Sequence, residues 1–454
     1  MTGNKTAKKF VIGAVIGAVA LAAFGGGFLT ARLTRSQSGK TFEWAIKTIK
    51  NNYYQDVPLD DALDGSLKGL AATYLDRYSA YYTAEEYQAL LQSNSGNKSG
   101  VGISYMYLDE GTHPQGKTGV IIESVVGNSP AYMGGLRAGE MVFGGRTSAG
   151  QTVTFESAED FSGFIDARQK DERFVLIGDH GERTVSKQNY TASYCTMATS
   201  TTEWSITYEN GEMKKVKNSG DGYGKDCLPN GAAYLRLDQF YGNAAYEMAT
   251  LIEEFNAAKC TSLILDLRGN GGGYVEVMCS ISDIFTGELP NRNKIAMLAV
   301  YKDGHREGYT VNDYFSGASQ LPAGTRVSVL ADNGTASASE ALIGVLVDNG
   351  VIDYADIYLT DFSDGYLLAT GTQNKDCRSY GKGIMQTTFV NRSTGDALKL
   401  TTAKIYWPKG ETSIHDIGLT TDMGCRTVYA DWDVSYGDEQ LTSAVQLIYS
   451  NGVA

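Results

Sequence analysis

The chain reads as an α/β (α+β) multidomain protein, with a small helical segment, a β-rich module and a larger α/β core in that order. Three observations predict this. Apolar residues recur at helical spacing over residues 42–53 and 59–74. Short apolar runs separated by glycine turns occupy residues 98–192. Beyond residue 193, buried-type strands alternate with amphipathic helices, the pattern of a sheet covered by helices. At 454 residues, 42% hydrophobic and 20% charged, the chain has the length for two or three domains and the composition of a globular protein.

The first 35 residues stand apart. Phe10 to Ala31 is an uncharged stretch of 22 residues, flanked by Lys5, Lys8 and Lys9 before and by Arg32 and Arg35 after. That length spans a bilayer. A cleaved signal peptide competes, because Ala18-Val19-Ala20 has the small-x-small form, but cleavage there leaves Leu21 to Thr30 as an exposed apolar piece. The expectation is an uncleaved membrane anchor over residues 1–35, with everything after it outside the cytoplasm, at a bacterial cell surface.

Net charge is −13, and the anchor carries five basic and no acidic residues, which leaves −18 on the remainder. Nucleic acid is therefore excluded as a partner, since phosphate binding needs a basic footprint. The six cysteines suit an oxidising compartment, but their spacings name no pairing. No Cys-x-x-Cys or His/Cys cluster suggests a metal, and no cofactor is expected. The four histidines are scattered along the chain.

A helical segment over residues 36–97 follows, with helices expected at 42–53, 59–74 and 84–91. Residues 93–99 form a Ser/Asn/Gly linker. The module at 98–192 opens on Gly100-Val101-Gly102-Ile103. A strand at 120–126, a short helix from Ser129-Pro130, the run Gly135-Leu136-Arg137-Ala138-Gly139-Glu140, a strand at 141–143, a helix at 157–167 and a strand at 173–177 come after it. This order resembles a PDZ domain, in which the glycine loop at residues 100–103 is the carboxylate-binding loop. Consecutive N–H groups on such a loop make a nest for a carboxylate, and the adjacent strand edge accepts an extended peptide.

Residues 193–454 make the core. A hairpin is expected over 198–228, then a strand at 232–237, a helix at 244–255 and a buried strand at 262–267. That strand runs into Asp266-Leu267-Arg268-Gly269-Asn270-Gly271-Gly272-Gly273, with a helix at 275–285 beyond. The glycine loop fits neither nucleotide template, because Tyr274 stands where Gly-x-Gly-x-x-Gly needs its last glycine and no Gly-Lys-Ser/Thr follows. A glycine loop at a strand end can instead offer N–H groups to an oxyanion.

A second strand–loop–helix unit carries Asp332-Asn333-Gly334-Thr335-Ala336-Ser337-Ala338-Ser339-Glu340. A serine at a helix start can be an exposed nucleophile beside free N–H groups. It can equally be a plain cap, since Ser337-x-x-Glu340 satisfies the capping-box pattern. The third motif is Gly381-Lys382-Gly383-Ile384-Met385-Gln386, on the way into a strand.

Taken in order along one chain, these motifs resemble the C-terminal processing peptidases, or tail-specific proteases, a serine peptidase family with a Ser–Lys dyad and a PDZ domain. The N-terminal signature Leu75-Asp76-Arg77-Tyr78-Ser79 and the closing segment Leu400-Thr401-Thr402-Ala403 with Ile414-His415 and Gly418-Leu419 match it as well. The resemblance implies a crotonase-like ββα peptidase core. Ser337 is then the nucleophile, Lys382 the general base and Gln386 its orienting partner, while the N–H groups of Ala338 and Gly272 (or Gly273) form the oxyanion hole. Asp348 falls at an accessory acidic position. Two departures stand out: the segment from Asp348 to Lys382 is longer than in the family, and Glu140 replaces an aspartate in the PDZ-like motif.

The residue types suit the chemistry. A serine needs a base to become nucleophilic. A lysine serves only when unprotonated, so its pKa must fall from about 10.4 toward roughly 7–8, which burial supplies at a cost of about 4 kcal/mol. A neutral glutamine orients the amine without charging it. The resemblance therefore implies a membrane-anchored endopeptidase for protein substrates with apolar C-terminal tails, with a homo-oligomer as a further expectation. The alternative is a catalytically inactive surface protein that binds peptides through the PDZ-like module. A Ser-His-Asp hydrolase is disfavoured, since no Gly-x-Ser-x-Gly surrounds Ser337 and His415 is the sole candidate histidine.

Overall fold

A computed structural model of the chain describes residues 37–108, 118–218, 227–362, 377–430 and 439–450. The stretch read as an anchor, residues 10–31, lies outside them, as does part of the long segment between Asp348 and Lys382. Among the described residues no helix is long and apolar enough to cross a membrane.

The chain divides into two compact units, residues 1–81 and 82–454. In the first, helices Gln37–Asn52 and Leu59–Tyr74 form where the apolar spacing places them. The signature after them is an Asx turn: Asp76 Oδ1 accepts the N–H groups of Tyr78 and Ser79, both at 2.9 Å. Helix Ala84–Asn94 belongs to the second unit and starts at a reciprocal capping box between Thr83 and Glu86.

The β-rich module is a six-stranded antiparallel sheet. Its strands lie in the order Ile103–Leu108, Gly119–Val125, Met141–Arg146, Arg173–Gly178 and Gly181–Ser186, with Thr152–Thr154 paired to the third. Helix Ala158–Asp166 covers one face, packing Phe161 and Phe164 edge-on against Phe155 and Phe174. Glu140 makes a two-pronged ion pair with Arg183, at 3.0 and 3.1 Å, so a longer acid is accommodated at this position by an arginine. The chain enters and leaves the module through strands Asn97–Gly100 and Gln188–Thr191, which pair as a separate antiparallel ribbon.

The core is built on an eight-stranded sheet. Cys195–Thr199, Glu203–Glu209 and Glu212–Asn218 form an antiparallel meander whose last turn is Asn210-Gly211, both at positive φ. Five parallel strands continue it: Ala232–Leu237, Ser262–Asp266, Arg326–Ala331, Ile357–Phe362 and Arg426–Ala430. The first four of these strands carry buried residues on both faces, as parallel strands between helical layers do. Leu235, Leu265, Val329 and Leu359 join one apolar cluster with helices Ala244–Ala257, Val275–Thr286 and Ala338–Asp348. Tyr234, Ile264, Leu330 and Tyr358 face the opposite way, onto helix Glu439–Ser450. A second, antiparallel sheet contains Ile295–Tyr301, Arg306–Thr310, Ala397–Tyr406 and Ile384–Val390.

Candidate active site

The loops that follow strands Ser262–Asp266 and Arg326–Ala331 meet at the carboxyl ends of the parallel strands, where ligands bind in open α/β sheets. They are stitched together by backbone. Asp332 Oδ1 accepts the N–H groups of Gly269 (2.8 Å), Gly334 (2.9 Å) and Thr335 (3.0 Å). The Asn270 carbonyl accepts the Ala336 N–H at 3.0 Å and the Ser339 hydroxyl at 2.8 Å. The Thr335 hydroxyl donates to the Leu267 carbonyl at 2.8 Å.

This stitching holds Ser337 in a strained conformation. Its φ is +59° and its ψ −116°, in a region that a residue with a side chain enters only when its surroundings impose it. Ser337 is partly exposed, and Ala338 behind it is the first residue of the helix, so its N–H has no acceptor within that helix. Gly272 lies directly against both: a Cβ added there would stand 2.8 Å from the Ala338 nitrogen and 2.9 Å from Ser337 Cβ. With φ at +98° as well, only glycine fits. The Gly272 N–H itself donates to Asn270 Oδ1 at 2.9 Å, so it is engaged within its own loop rather than held open as the sequence reading expected.

Glu340 joins this turn to the lysine motif. It is fully buried, and its carboxylate accepts four hydrogen bonds: the Ser337 N–H (3.0 Å), the Lys382 N–H (2.9 Å), the Gly381 N–H (2.8 Å) and the Ser379 hydroxyl (2.6 Å). Burial raises its pKa, and the four donors oppose that rise. The amide nitrogens of Ser337 and Lys382 therefore both lie within 3.0 Å of one oxygen atom, Oε2. The sequence offered Glu340 only as the far end of a capping box. Its bonds to residues 379–382 come from chain more than thirty positions away, and no local pattern signals them.

The two glycines around Lys382 have a steric reason. A Cβ on Gly381, whose φ is +84°, would stand 2.8 Å from the Gly418 nitrogen, and one on Gly383 would stand 2.8 Å from the His415 nitrogen. The segment 415–418 passes against both, and the Asp416 N–H donates to the Gly381 carbonyl at 2.8 Å. Lys382 is partly buried. Gln386, in the following strand, donates through Nε2 to Thr401 Oγ1 at 3.0 Å. Among the described residues His415 engages no serine: its Nε2 lies 3.5 Å from Asp416, and its buried Nδ1 has no partner there. Asp348 closes the far end of the helix, about 16 Å from Ser337 by helical rise, where it accepts the Lys409 N–H at 2.8 Å.

Beneath the glycine loop, Asp266 is fully buried. It accepts the Tyr234 hydroxyl at 2.7 Å and ion-pairs with Arg268 (2.6 Å) and Arg236 (3.3 Å). Burial acts to raise its pKa, but the two guanidiniums overcome that and hold it well below the usual carboxylate range. Arg268 also donates to Gln440 on the C-terminal helix at 3.0 Å. The Asp-Leu-Arg part of the motif is thus a charged foundation for the loop. In the module, the carbonyls of Val101 and Gly102 accept the Ala131 and Val126 N–H groups at 3.0 and 2.9 Å, and Gly100 and Gly102 sit at positive φ. Ile103 starts a strand that pairs, among the described residues, only with Gly119–Val125, and Tyr105 on it packs against Phe161 at 4.6 Å. No disulfide joins the six cysteines among the described residues.

Residues 231–353, which hold the glycine loop and Ser337, match the profile of peptidase family S41. Over this part of the core the chain is similar to family S41 peptidases. The resemblance read from the motifs is borne out at that level, and the family makes this a serine-type peptidase. Curated relatives include the chloroplastic C-terminal processing peptidase of Tetradesmus obliquus, 25% identical over 83% of this chain and 71% of that protein. The carboxy-terminal processing protease CtpA of Bacillus subtilis is 23% identical over 86% of this chain and 71% of its own length. Other relatives are covered over as little as 64% of their length. Among solved structures, one from Bacteroides fragilis described as an S41 protease superposes with a TM-score of 0.50 at 15% identity, over 90% of this chain and 98% of that one. It bears out the mixed α/β fold class.

Proposed function

We propose that this S41 peptidase is an extracytoplasmic serine endopeptidase, anchored to a membrane through residues 10–31, that cuts protein substrates presented by apolar C-terminal tails. The observation that carries the reading is the Glu340 carboxylate, which binds the backbone of Ser337 and the backbone of Lys382 through one oxygen. A capping glutamate has no need to reach the lysine loop. A device that sets a nucleophile and its base at a fixed separation does.

In this reading Lys382, unprotonated, takes the Ser337 proton as the hydroxyl attacks the scissile carbonyl, and later gives it to the leaving amine. The Ala338 N–H faces the oxyanion, and the Gly272 N–H joins it by releasing Asn270. Gln386 steadies the amine through its amide oxygen, the end turned away from Thr401. The loop Gly100–Ile103 takes the substrate carboxylate, with the tail lying beside strand Ile103–Leu108 in the groove bounded by helix Ala158–Asp166.

The test uses the full chain in detergent, with an unfolded protein ending in an apolar tail and the same protein ending in a charged one. Cleavage favouring the apolar tail, lost in Ser337→Ala and in Lys382→Ala, is expected. Undiminished cleavage in either variant overturns the dyad. Tail binding without turnover in the unsubstituted chain supports the inactive peptide-binding alternative instead.

A further inference from the structure

Strand Ile384–Val390 carries Gln386 and pairs, among the described residues, only with Ala397–Tyr406. The register slips between Met385 and Gln386: Met385 faces Ala403, Gln386 faces Thr401, and Thr402 is the extra residue of a bulge. Directly opposed residues share a face, so Gln386 and Thr401 lie together, as their 3.0 Å hydrogen bond requires, while Thr387 and Thr402 share the other face through a 2.7 Å hydroxyl contact. Counting by twos from Thr401, Lys399 returns to the face of Gln386, opposite Thr388.

Lys399 is partly buried, and burial is the cause that lowers its pKa. Its ammonium has no hydrogen bond or ion pair among the described residues, and no carboxylate shares its face of the hairpin. A desolvated cation without a counter-ion is unfavourable unless something else supplies the negative charge. The strand bearing Gln386 has an unpaired edge, and such an edge accepts an extended peptide.

We infer that Lys399 is a specificity-determining residue, which pairs with a carboxylate side chain of the bound substrate on the strand face that carries Gln386. The inference rests on the peptidase reading above and adds to it the chemistry of one substrate position. Thr388, opposite Lys399, lies six residues beyond Lys382, about 20 Å along an extended strand. A peptide on the unpaired edge lies two strand spacings, about 10 Å, from Lys399, which a lysine and a glutamate side chain together can span, and it comes opposite Lys399 about four to six residues from the scissile bond.

The experiment takes a peptide that the full chain cleaves and places a single Glu or Lys at each position within six residues of the cut. At one position, Glu is expected to raise kcat/KM at least tenfold over Lys. Lys399→Met should abolish that discrimination, and Lys399→Glu should invert it. The same peptides are titrated against Ser337→Ala, where Kd should show the same preference without turnover. Equal kcat/KM and equal Kd for Glu and Lys peptides at every position overturn the role of Lys399 and leave the dyad standing. Cleavage persisting in Ser337→Ala overturns the dyad, while a Glu preference in Kd still upholds Lys399.

Discussion

Glu340 Oε2 accepts the backbone N–H of Lys382 at 2.9 Å, across more than forty residues of chain. The same oxygen holds Ser337, so the distance between the proposed nucleophile and the proposed base depends on one buried carboxylate. Glu340→Gln replaces one acceptor oxygen by an NH2 group that faces N–H donors. Expected is a fall in kcat of about a hundredfold with KM nearly unchanged, since small displacements of reacting groups cost about that much. Loss of both parameters together would mark a substrate contact instead.

Replacing Gln386 by glutamate tests the base directly. A carboxylate beside an amine favours the charged amine, so the lysine pKa rises and the unprotonated fraction appears only at higher pH. The acidic limb of the kcat/KM profile of Gln386→Glu is therefore expected to move upward by about one pH unit or more. An unmoved limb places Gln386 away from the base.

Two glycines, one packed against the start of helix Ala338–Asp348 and one within it, should separate catalysis from stability. Gly272→Ala pushes a Cβ to within 2.9 Å of Ser337 Cβ, at a φ of +98°, and is expected to reduce kcat far more than the denaturation midpoint. Gly344→Ala drives a Cβ to 2.4 Å from Trp407 in the core, and is expected to cost about 1–3 kcal/mol of stability by overpacking. Its kcat per folded molecule should stay close to that of the unsubstituted chain.

Glu247 gives the molecule a pH signature unrelated to catalysis. It is fully buried where the chain returns from the module, and accepts the Tyr208 hydroxyl (2.5 Å), the N–H groups of Tyr194 (2.7 Å) and Cys195 (3.0 Å) and the Ser193 hydroxyl (3.2 Å). Burial pushes its pKa up to about 7, against the opposing pull of these donors. Since the folded state holds this proton more tightly than the unfolded chain, stability falls as pH rises from about 4.5 toward 7. The whole effect is at most about 3 kcal/mol. Urea denaturation at pH 5 and pH 8 should show a smaller loss across that range for Glu247→Gln than for the unsubstituted chain.

Much of the fold was legible along the chain because its signals are local. Helix Leu59–Tyr74 and strand Ala232–Leu237 fall at the positions that periodicity assigns, and helices Ala244–Ala257 and Val275–Thr286 run only one or two residues past them. Apolar spacing and glycine turns act within a few residues, so a linear reading can find them. The hairpin read over 198–228 is instead a three-strand meander starting at Cys195, because strand pairing is decided by neighbours distant in sequence.

The sequence by itself determined the order of most helices and strands, the three motifs and the family to which they point. Only the tertiary structure decided what each motif residue does for its neighbours. Glu340 caps its own helix but also holds the lysine loop, and the glycines at 381 and 383 exist for the segment 415–418 that passes against them. The Gly272 N–H is turned to Asn270, and the bulge at Thr402 sets which residues share the face of Gln386. The reason is physical. Local propensity is a property of adjacent residues, whereas a buried carboxylate, a close backbone approach and a strand register are each completed by groups that only folding brings near.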